Sequence, residues 1–544
     1  MRFLLPLIFL TALAEGLLAE KEASATADNP PRTVVIGYIN DVHAQIEPHP
    51  ELFWSGDGER FVREAGGLAR IATVFGQLRA EYPGQTLFID GGDTLQGSGP
   101  AAWTKGRVVV APTNKLGLDL GIPGNWSVAY GAKALKARAT EFAHPLIAAN
   151  MFDEADGEPL FTAYFIKEIN GVRVAVIGFT EPEIPTRQPP HLSKGLAFKG
   201  RELLQPLVDE VRGEEKADIV LLATHIGLPK AVGLAESLDG VDVVLSSDTH
   251  ERTYEPVVRG DTWVVEAGAF ASFAGILKLR VDERGLIDRS WRLVELRPDL
   301  FPEDPRVRAA TREALAPHRK RMNEVVGHTR EWLARYAVIN TSLDNVITDA
   351  LRHDTGADIA LSNGFRFSPP TAPGPITVAD LWNWLPLRLE LKIGTSTGAQ
   401  LRRYWESEFE NVFARDPERL FGGWLPRVSG MRVIFNRMDP PGERLRDLVV
   451  AGESLQASAT YTVVAGNRKG APTDRIHRVD RCAETRLLGR TTHDAVRTYL
   501  REHMPVRSAN AQRVRCEATP SALRSQILGP GGILTPSPPP LPRE

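Results

Sequence analysis

Short apolar runs alternate with longer amphipathic stretches from residue 33 to about residue 295. The apolar runs are rich in β-branched residues and predict strands within 33–43 and at 86–90, 145–149, 172–177, 218–223, 241–246, 263–266 and 275–281. Stretches such as 67–80 and 202–211 predict helices between them. The pattern is typical of an α/β domain with strands buried on both faces, and such sheets bind ligands at the carboxyl ends of their strands.

The composition changes at residues 298–305, where prolines and acidic residues cluster. A charged helix is predicted from 306 to about 326, followed by a second α/β or α+β unit with a helix at 343–352 and strands at 358–361, 430–435 and 459–464. The end of the chain is rich in proline and glycine and is expected to be disordered. The predicted division is a signal peptide at 1–25, a first domain at 30–297, a linker with a helix at 298–337, a second domain at 338–527 and a tail at 528–544.

The overall composition adds little to this picture. The chain has 544 residues, 42% of them hydrophobic and 24% charged, which is typical of a globular protein. A formal net charge of −3 gives no electrostatic signature for binding a nucleic acid polymer. The two cysteines, Cys482 and Cys516, predict either a single disulfide in an exported protein or two buried thiols.

The N-terminus has the pattern of a secretory signal peptide. Met1 and Arg2 precede an apolar run at 3–13, which is shorter than the roughly 20 residues that a membrane span needs. Small residues at 12, 14, 23 and 25 offer cleavage points. We therefore expect a periplasmic or secreted protein with no membrane contact after cleavage, an uncleaved anchor being the alternative.

Polar residues follow several predicted strands at the point where each strand ends. Extended chain would place Asp41 and His43 on the same side, because side chains alternate with period two. The same residue types recur further along the chain at Asp93, Asn125, His225, Asp248 and His250. Each residue alone could be a turn former, a helix cap or a core histidine. Together, seven carboxylate, imidazole and carboxamide ligands exceed what one tetrahedral ion takes, so a two-metal site is the simplest interpretation.

The order of these motifs, Asp-x-His, Gly-Gly-Asp, Gly-Asn, Thr-His and Asp-x-His, resembles the calcineurin-like metallophosphoesterases. The second unit is similar to the C-terminal domain of the 5'-nucleotidases through its segments at 349–352, 356–360, 363–366 and 422–424. Within that superfamily, the segments at 91–98, 103–106 and 364–366 look closest to the thiosulfohydrolases of bacterial sulfur oxidation. The resemblance implies a four-layer metallophosphoesterase-type sandwich followed by a smaller α/β (α+β) domain.

The resemblance also implies a role for each residue. It makes Asp41, His43 and His250 ligands of one divalent ion, makes Asn125, His225 and Asp248 ligands of the other, and makes Asp93 the bridge. Manganese is favoured, with zinc or iron as alternatives. The residues implied in catalysis are Asp41, His43, Asp93, Asn125 and His225, and those implied in binding the substrate are Asn363 and Arg366, whose guanidinium would hold an anion.

Three positions depart from the relatives. The nucleotidases follow their Asn ligand with a His and, three positions later, an Asp, where this chain has Trp126 and Ala129. The thiosulfohydrolases share the Trp but have a His in place of Asn125. The nucleotidases grip the base between two aromatic rings, whereas 385–392 and 466–474 contain no aromatic residue. Asp248 stands where the relatives usually have a His.

These features favour a dinuclear metal hydrolase that attacks a small tetrahedral anion, with a site most like that of a thiosulfohydrolase. The substrate would be a small anion or an S-sulfonate bound to a carrier protein. The alternative is a 5'-nucleotidase or related phosphoesterase with a displaced general acid, for which Glu47 and His49 are candidates. A third hypothesis is a binding or scaffold protein descended from such an enzyme.

Overall fold

The computed structural model describes residues 30–54, 60–364, 368–422, 424–508 and 513–517. The predicted signal peptide, the predicted tail and Arg366 lie outside the described residues. In the part of the chain that is described, no helix combines the length and the apolar character that a bilayer crossing requires.

The first half of the chain alternates strands and helices, as its pattern predicts. Its strands are β1 (Arg32–Ile39), β2 (His49–Trp54), β3 (Arg60–Ala65), β4 (Thr86–Asp90), β5 (Leu120–Gly121), β6 (Met151–Asp153), β7 (Tyr164–Ile169), β8 (Val172–Thr180), β9 (Leu196–Phe198), β10 (Ile219–His225), β11 (Val243–Ser246), β12 (Val257–Arg259), β13 (Thr262–Glu266), β14 (Phe273–Asp282) and β15 (Gly285–Glu295). Its helices are α1 (Leu68–Glu81), α2 (Gly99–Thr104), α3 (Val110–Asn114), α4 (Ala132–Glu141), α5 (Ile184–Arg187), α6 (Leu204–Gly213), α7 (Leu228–Ser237), α8 (Pro305–Leu315) and α9 (Arg319–Met322). Short 3-10 turns lie at Arg107–Val109, Pro190–Leu192, Arg201–Leu203 and Ala316–His318.

Two sheets pack face to face between two layers of helices. Their strand orders are β15-β14-β1-β4-β5 and β12-β13-β11-β10-β8-β7. Alternation along β1 sends Val34 and Ile36 into the core between the sheets and Val35 towards the core that contains α1. In β10, Leu221 faces the same inner core and Leu222 packs with α6 and α7 on the outer side. The expected four-layer sandwich is confirmed.

Two elements differ from the prediction. The stretch 145–149 is not a strand, because it forms only single bridges, from Leu146 to Gly121 and from Ile147 to Thr162. The charged helix predicted at 306–326 is broken after Leu315, since the following turn contains Pro317, whose ring cannot continue a helix. The chain then re-enters a short helix and a strand.

The second half of the chain forms a smaller unit. Its strands are β16 (Val325–Thr329), β17 (Ile359–Ser362), β18 (Gly374–Thr377), β19 (Glu390–Thr397), β20 (Arg427–Ser429), β21 (Met431–Phe435), β22 (Leu445–Val450), β23 (Glu453–Ser454), β24 (Thr460–Gly466), β25 (Ala483–Thr491) and β26 (Val514–Cys516). Its helices are α10 (Ser342–Thr355), α11 (Val378–Trp384), α12 (Gly398–Phe413) and α13 (Thr492–Glu502), with a 3-10 turn at Pro417–Arg419. The larger sheets are β20-β17-β24-β19-β25 and β23-β22-β21-β26. Cys482 and Cys516 are both buried thiols, the second of the two predicted states.

The C-terminal end of α5 and the residue after it join the two units. Nη2 of Arg468, in the second unit, donates hydrogen bonds to the carbonyl oxygens of Thr186, Arg187 and Gln188 at 2.7, 2.9 and 3.0 Å. Beside it, a ring nitrogen of His191 lies 3.0 Å from a backbone carbonyl of the second unit. The two units are therefore held together next to the carboxyl ends of the strands, where a cleft opens.

Candidate active site

The carboxyl ends of five parallel strands bring the predicted site residues together. In one sheet β4 runs parallel to both β1 and β5, and in the other β10 runs parallel to β11. The residues that these strand ends deliver are Asp41 and His43 after β1, Asp93 after β4, His225 at the end of β10, and Asp248 and His250 after β11. Asn125 follows the short strand β5. All seven are buried, although six of them are ionisable.

The ligand atoms converge on two points that share Asp41. Oδ1 of Asp41 lies 3.5 Å from Nε2 of His43 and 3.4 Å from Nε2 of His250, and these two ring nitrogens are 3.0 Å apart. The same Oδ1 lies 3.7 Å from Nε2 of His225, which is 3.2 Å from Oδ2 of Asp93. Two groups therefore have their ligand atoms within 4.8 Å of one another: Asp41, His43 and His250, and Asp41, Asp93 and His225.

The histidine tautomers fit metal binding. A ring nitrogen beside a backbone carbonyl must carry the proton, and Nδ1 lies 3.0 Å from the oxygen of Gln96 in His43 and 2.7 Å from the oxygen of Gly91 in His225. Nε2 of each ring therefore presents a lone pair to the cluster, which is the arrangement found around metal-bound imidazoles. Within the described structure, Asp41 Oδ1 and His225 Nε2 are buried and form no hydrogen bond. A divalent cation fits this donor set.

The charge balance of the cluster also favours a cation. Burial alone would lower the pKa of His225, but the carboxylates of Asp93 and Asp41 outweigh it and raise this pKa to about 10. Without a metal, burial would raise the pKa of Asp41, but protonated His250 and His225 would outweigh it and hold this pKa well below its usual range. The carboxylates thus require positive charge beside them, which a metal ion supplies without a proton.

Backbone strain is concentrated at the same residues. Positive φ values, rare outside glycine, occur at Asp41 (50°), His43 (48°), Asp93 (55°), Asp248 (88°) and His250 (59°). The expectation that extended chain aligns Asp41 with His43 is wrong, because β1 ends at Ile39. The two residues form a left-handed turn, held by hydrogen bonds from their backbone N–H groups to the carbonyls of Gly92 and Asp93 at 2.9 and 2.8 Å.

Asp93 is oriented by the chain that carries Asn125. The N–H of Trp126 donates to Oδ1 of Asp93 at 2.8 Å, which leaves Oδ2 facing His225. A Cβ at Gly124 would lie 2.2 Å from the same Oδ1, so only glycine allows this close approach. The Gly-Asn-Trp segment therefore positions a neighbouring ligand in addition to supplying Asn125.

Asp248 and Asn125 lie at the cluster, but an arginine that the sequence did not single out binds one of them. Nη2 of Arg187 donates to Oδ2 of Asp248 at 3.0 Å, and Asn125 Nδ2 donates to the other oxygen. Nη1 of Arg187 donates to buried Glu181. Burial would lower the pKa of Arg187, but Asp248 and Glu181 outweigh it and raise this pKa above its ordinary value. The predicted role of Asp248 as a metal ligand stays a prediction, and so does that of Asn125.

The cleft beside the cluster is lined by both units. Its described lining consists of His43, Asp93, Asn125, Trp126, Arg187, Gln188, Asp248, His250, Asn363, Gly364, Phe421, Gly422, Trp424 and Arg478. Asn363 thus lines the cleft, as a substrate-binding residue should, although its role stays a prediction. Sequence reasoning missed Arg187, Gln188, Phe421 and Arg478. For Arg187 a signal existed, since β8 ends at the same sheet edge as β10 and the loop after it carries several charged residues.

Comparison with known proteins agrees with the fold. Residues 325–467 match the family model described as the C-terminal domain of 5'-nucleotidase. The chain is 27% identical over 490 residues to the 5'-nucleotidase of Bos taurus, a match that covers 80% of this chain and 82% of that protein. It is 24% identical over 499 residues to the trifunctional nucleotide phosphoesterase protein YfkN of Bacillus subtilis, covering 81% of this chain but only 32% of that longer protein.

Two solved structures share the architecture. The sulfate thiohydrolase SoxB of Thermus thermophilus aligns with a TM-score of 0.80 at 24% identity, covering 90% of this chain and 97% of that one. The 5'-nucleotidase precursor of Thermus thermophilus aligns with a TM-score of 0.78 at 24% identity, covering 90% and 100%. The fold, the ligand cluster and these relatives define a hydrolase of the metal-dependent type. Residues 325–467 match the C-terminal domain family of the 5'-nucleotidases, and most of the chain is similar to 5'-nucleotidases in sequence.

Proposed function

We propose that the protein is a hydrolase that holds two divalent ions and cleaves a small tetrahedral anionic group, with S-sulfonate hydrolysis as its first candidate reaction. Asp41, His43 and His250 would hold one ion, Asn125 and His225 the other, and Asp93 would face both. Bound ions would supply a water of lowered pKa and charge stabilisation at the reacting centre. Manganese suits the mixture of carboxylate, imidazole and carboxamide ligands, with zinc or iron as alternatives.

Asp248 would join the second ion only in competition with Arg187. Its Oδ2 accepts a hydrogen bond from Arg187, and its Oδ1 accepts one from Asn125. A carboxylate paired in this way contributes less negative charge to the ions than a free one would. The ion pair therefore offsets the extra charge of an Asp at this position.

Two arginines would bind the anion from opposite units. Arg187 and Arg478 both line the cleft, and their guanidinium carbons lie 5.8 and 6.0 Å from the ring centroid of Phe421, which lies near both. Arg478 is held by two hydrogen bonds to Glu408, at 2.6 and 2.5 Å. A guanidinium fixed in this way is well suited to bind sulfonate or phosphate oxygens. Asn363, in the same lining, would donate a further hydrogen bond.

The observation that carries the first candidate is the lack of a separate general acid. Among the described lining residues, each Asp or His is either in the ligand cluster or, for Asp248, paired with Arg187. A leaving group that needs a proton would therefore depart slowly, since general acid catalysis typically contributes about 10²–10⁴-fold. A persulfide is an acidic leaving group and needs no such help. On a cysteine S-thiosulfonate, R–S–S–SO₃⁻, water would add its oxygen to the terminal sulfonate sulfur and the S–S bond to that sulfur would break, so that the products would be the persulfide anion R–S–S⁻, sulfate and two protons.

An adjoining compartment also favours a substrate without a base. It shares Trp126, Arg187, Gln188 and Asn363 with the cleft. The rest of its described lining is mostly aliphatic: Ile347, Leu351, Leu361, Leu385, Pro386, Leu387 and Leu389. Stacking a base between two rings is worth about 1–3 kcal/mol per base, and this lining offers a single large aromatic ring. With the predicted signal peptide, the reaction would take place in the periplasm or outside the cell.

The second candidate is hydrolysis of nucleotide phosphoesters. The match of residues 325–467 to the 5'-nucleotidase C-terminal domain favours it, together with the relatives whose names describe that activity. One of the aromatic rings of the cleft, Trp126, Phe421 or Trp424, would then have to stack against the base. A group other than the missing His-Asp pair would have to protonate the leaving alkoxide.

Turnover assays on the purified, manganese-loaded protein separate the two candidates. The substrates are AMP, a generic phosphomonoester and a protein-bound cysteine S-thiosulfonate, with Asp93→Asn as the inactive control. We expect sulfate release from the S-thiosulfonate and little phosphate from AMP. Turnover of AMP above about 1 s⁻¹, a rate typical of enzymes, would overturn the first candidate and support the second. No turnover of any substrate with fewer than one bound metal would favour a scaffold protein.

A further inference from the structure

A second group of metal-ligand side chains lies on the surface of the smaller unit, apart from the cleft. His353 in the last turn of α10, and Glu502 and His503 at the end of α13, each offer one ligand atom within 4.8 Å of the others. The His353 and Glu502 side chains are 41% and 54% exposed, so an ion in solvent can reach them. We propose that these three residues form a site for a divalent transition metal, which clips α10 to α13.

The His503 ring is already held in a ligand geometry. Its Nδ1 lies 3.1 Å from the carbonyl oxygen of Tyr499, so Nδ1 carries the proton and Nε2 presents its lone pair. The ring also stacks on Tyr499, with centroids 4.1 Å apart and planes at 21°. Little side-chain freedom is therefore left for a metal to restrict.

His353 completes the group from the neighbouring helix. Its ring lies perpendicular to that of His503, with centroids 4.8 Å apart, and packs edge-on against Tyr499. Its Nε2 lies 2.7 Å from Oε2 of Glu502, which is close enough for one ion to replace the shared proton. The three ligand atoms thus come from two helices that are packed together.

The position of the group in the fold favours positive charge. Both helices end there, and the partial negative charge of a helix C-terminus stabilises a cation. Glu502 adds a full negative charge. Two imidazole nitrogens and one carboxylate oxygen suit zinc, nickel or copper better than manganese, magnesium or calcium, and water would fill the remaining positions. The metal preferred at this site therefore differs from the manganese proposed for the cleft.

Metal content tests the site in the full-length protein. We would measure bound zinc by equilibrium dialysis against zinc chloride for the wild type, His503→Ala, Glu502→Gln and the control His328→Ala, which removes an exposed histidine elsewhere in the same unit. We expect His503→Ala to bind one zinc fewer than the wild type, and Glu502→Gln to bind that zinc at least tenfold more weakly. The His328→Ala control should keep the full number, and hydrolytic activity should be the same in all four proteins.

Copper spectroscopy gives a second readout. Electron paramagnetic resonance of the copper-loaded wild type should show an additional signal with two nitrogen ligands, and this signal should be lost in His353→Ala. Equal zinc content in the wild type and His503→Ala, or the same copper signal with and without His353, would overturn the proposal.

Discussion

Nη2 of Arg187 lies 3.0 Å from Oδ2 of Asp248, and the two side chains are only 11% and 8% exposed beside the ligand cluster. Arg187 is also paired with Glu181, so one guanidinium faces two buried carboxylates. Lys230 lies 2.6 Å from the more exposed Glu183 but 3.8 Å from Glu181. Apart from Arg187, Lys230 therefore offers Glu181 only a more distant positive charge. The neutrality of this side of the cleft therefore depends on Arg187.

Removing Arg187 alone should be costly, because it leaves two buried carboxylates with too little positive charge. We expect Arg187→Met to lower the free energy of unfolding by about 3–5 kcal/mol, the usual cost of breaking a buried ion pair from one side. The double variant Arg187→Met/Asp248→Asn should recover part of this loss. Urea unfolding of the wild type, both single variants and the double variant measures the coupling, which we expect at about 0.5–3 kcal/mol.

A matched pair gives the control for that cycle. Arg284 and Asp282 form an ion pair at 2.6 Å on the surface, with the Arg284 side chain 84% exposed. The corresponding cycle should give a coupling energy far below that of Arg187 and Asp248, because solvent screens an exposed pair. Equal coupling energies in the two cycles would show that Arg187 is not essential to the charge balance of the cleft.

Asp93 faces His225 and His43 at 3.2 and 3.9 Å, so replacing its carboxylate should weaken metal binding most. We expect Asp93→Asn to bind less metal than the wild type and to lose more than about 100-fold in turnover, since even residues that only orient ligands cost 10–100-fold. Metal analysis after dialysis and steady-state kinetics measure both effects. A chelator should inactivate the wild type, and added manganese should restore it. Full metal content and activity in Asp93→Asn would contradict the assignment of this residue.

The arrangement of the sheets was predictable because apolar character is strong and periodic. The stretches 86–90 and 263–266 each contain three consecutive apolar residues, at 87–89 and 263–265, and the structure has strands there, β4 and β13. A local apolar pattern did not predict a strand correctly everywhere. The stretch 145–149 is as apolar as these strands, but its neighbours offer only isolated bridges, a property of the tertiary structure that no local window contains.

The residues of the candidate site were also only partly predictable from the sequence. Asp41, Asp93 and His225 could be named from the sequence, because each follows a buried strand within a short recognisable motif. Arg187 is the last residue of the short helix α5, in a proline-rich segment without such a motif, and Arg478 comes from the other unit. Their approach to the cleft depends on how the two units dock, which is set by contacts between residues almost 300 positions apart in the sequence.

The hydrogen bonds of Arg468 to three carbonyls at the C-terminal end of α5 should stabilise the docked arrangement of the two units. Burial, together with nearby Arg478 and Arg475, lowers the pKa of Arg468 to about 10, which still leaves it charged at neutral pH. We expect Arg468→Met to reduce the free energy of unfolding by about 1.5–3 kcal/mol, because it removes hydrogen bonds made by a charged group. The variant should also raise KM, because the same end of α5 carries Arg187. Urea unfolding and steady-state kinetics test this. Arg515→Met, which removes an exposed guanidinium paired with Glu517 elsewhere in the same unit, is the control and should change neither.

His493 should make stability depend on pH. It is buried near the start of α13, its Nε2 donates to the carbonyl of Leu385 at 2.7 Å, and its ring packs edge-on to Trp382. Burial lowers the pKa of His493 to about 4 from an ordinary value of 6.5, against the opposing effect of the Leu385 carbonyl. Between these two values the unfolded chain binds more protons than the folded one, so stability falls as the pH decreases.

The variant His493→Phe isolates that contribution, since it keeps an aromatic ring and removes the titrating group. The difference in unfolding free energy between wild type and variant should be constant above pH 7. It should then shift against the wild type by up to about 3 kcal/mol between pH 6.5 and 4, the equivalent of the lowered pKa. Urea unfolding of both proteins across this range measures it. Loss of the Leu385 hydrogen bond lowers the stability of the variant equally at every pH, so only a pH-independent difference would contradict the prediction.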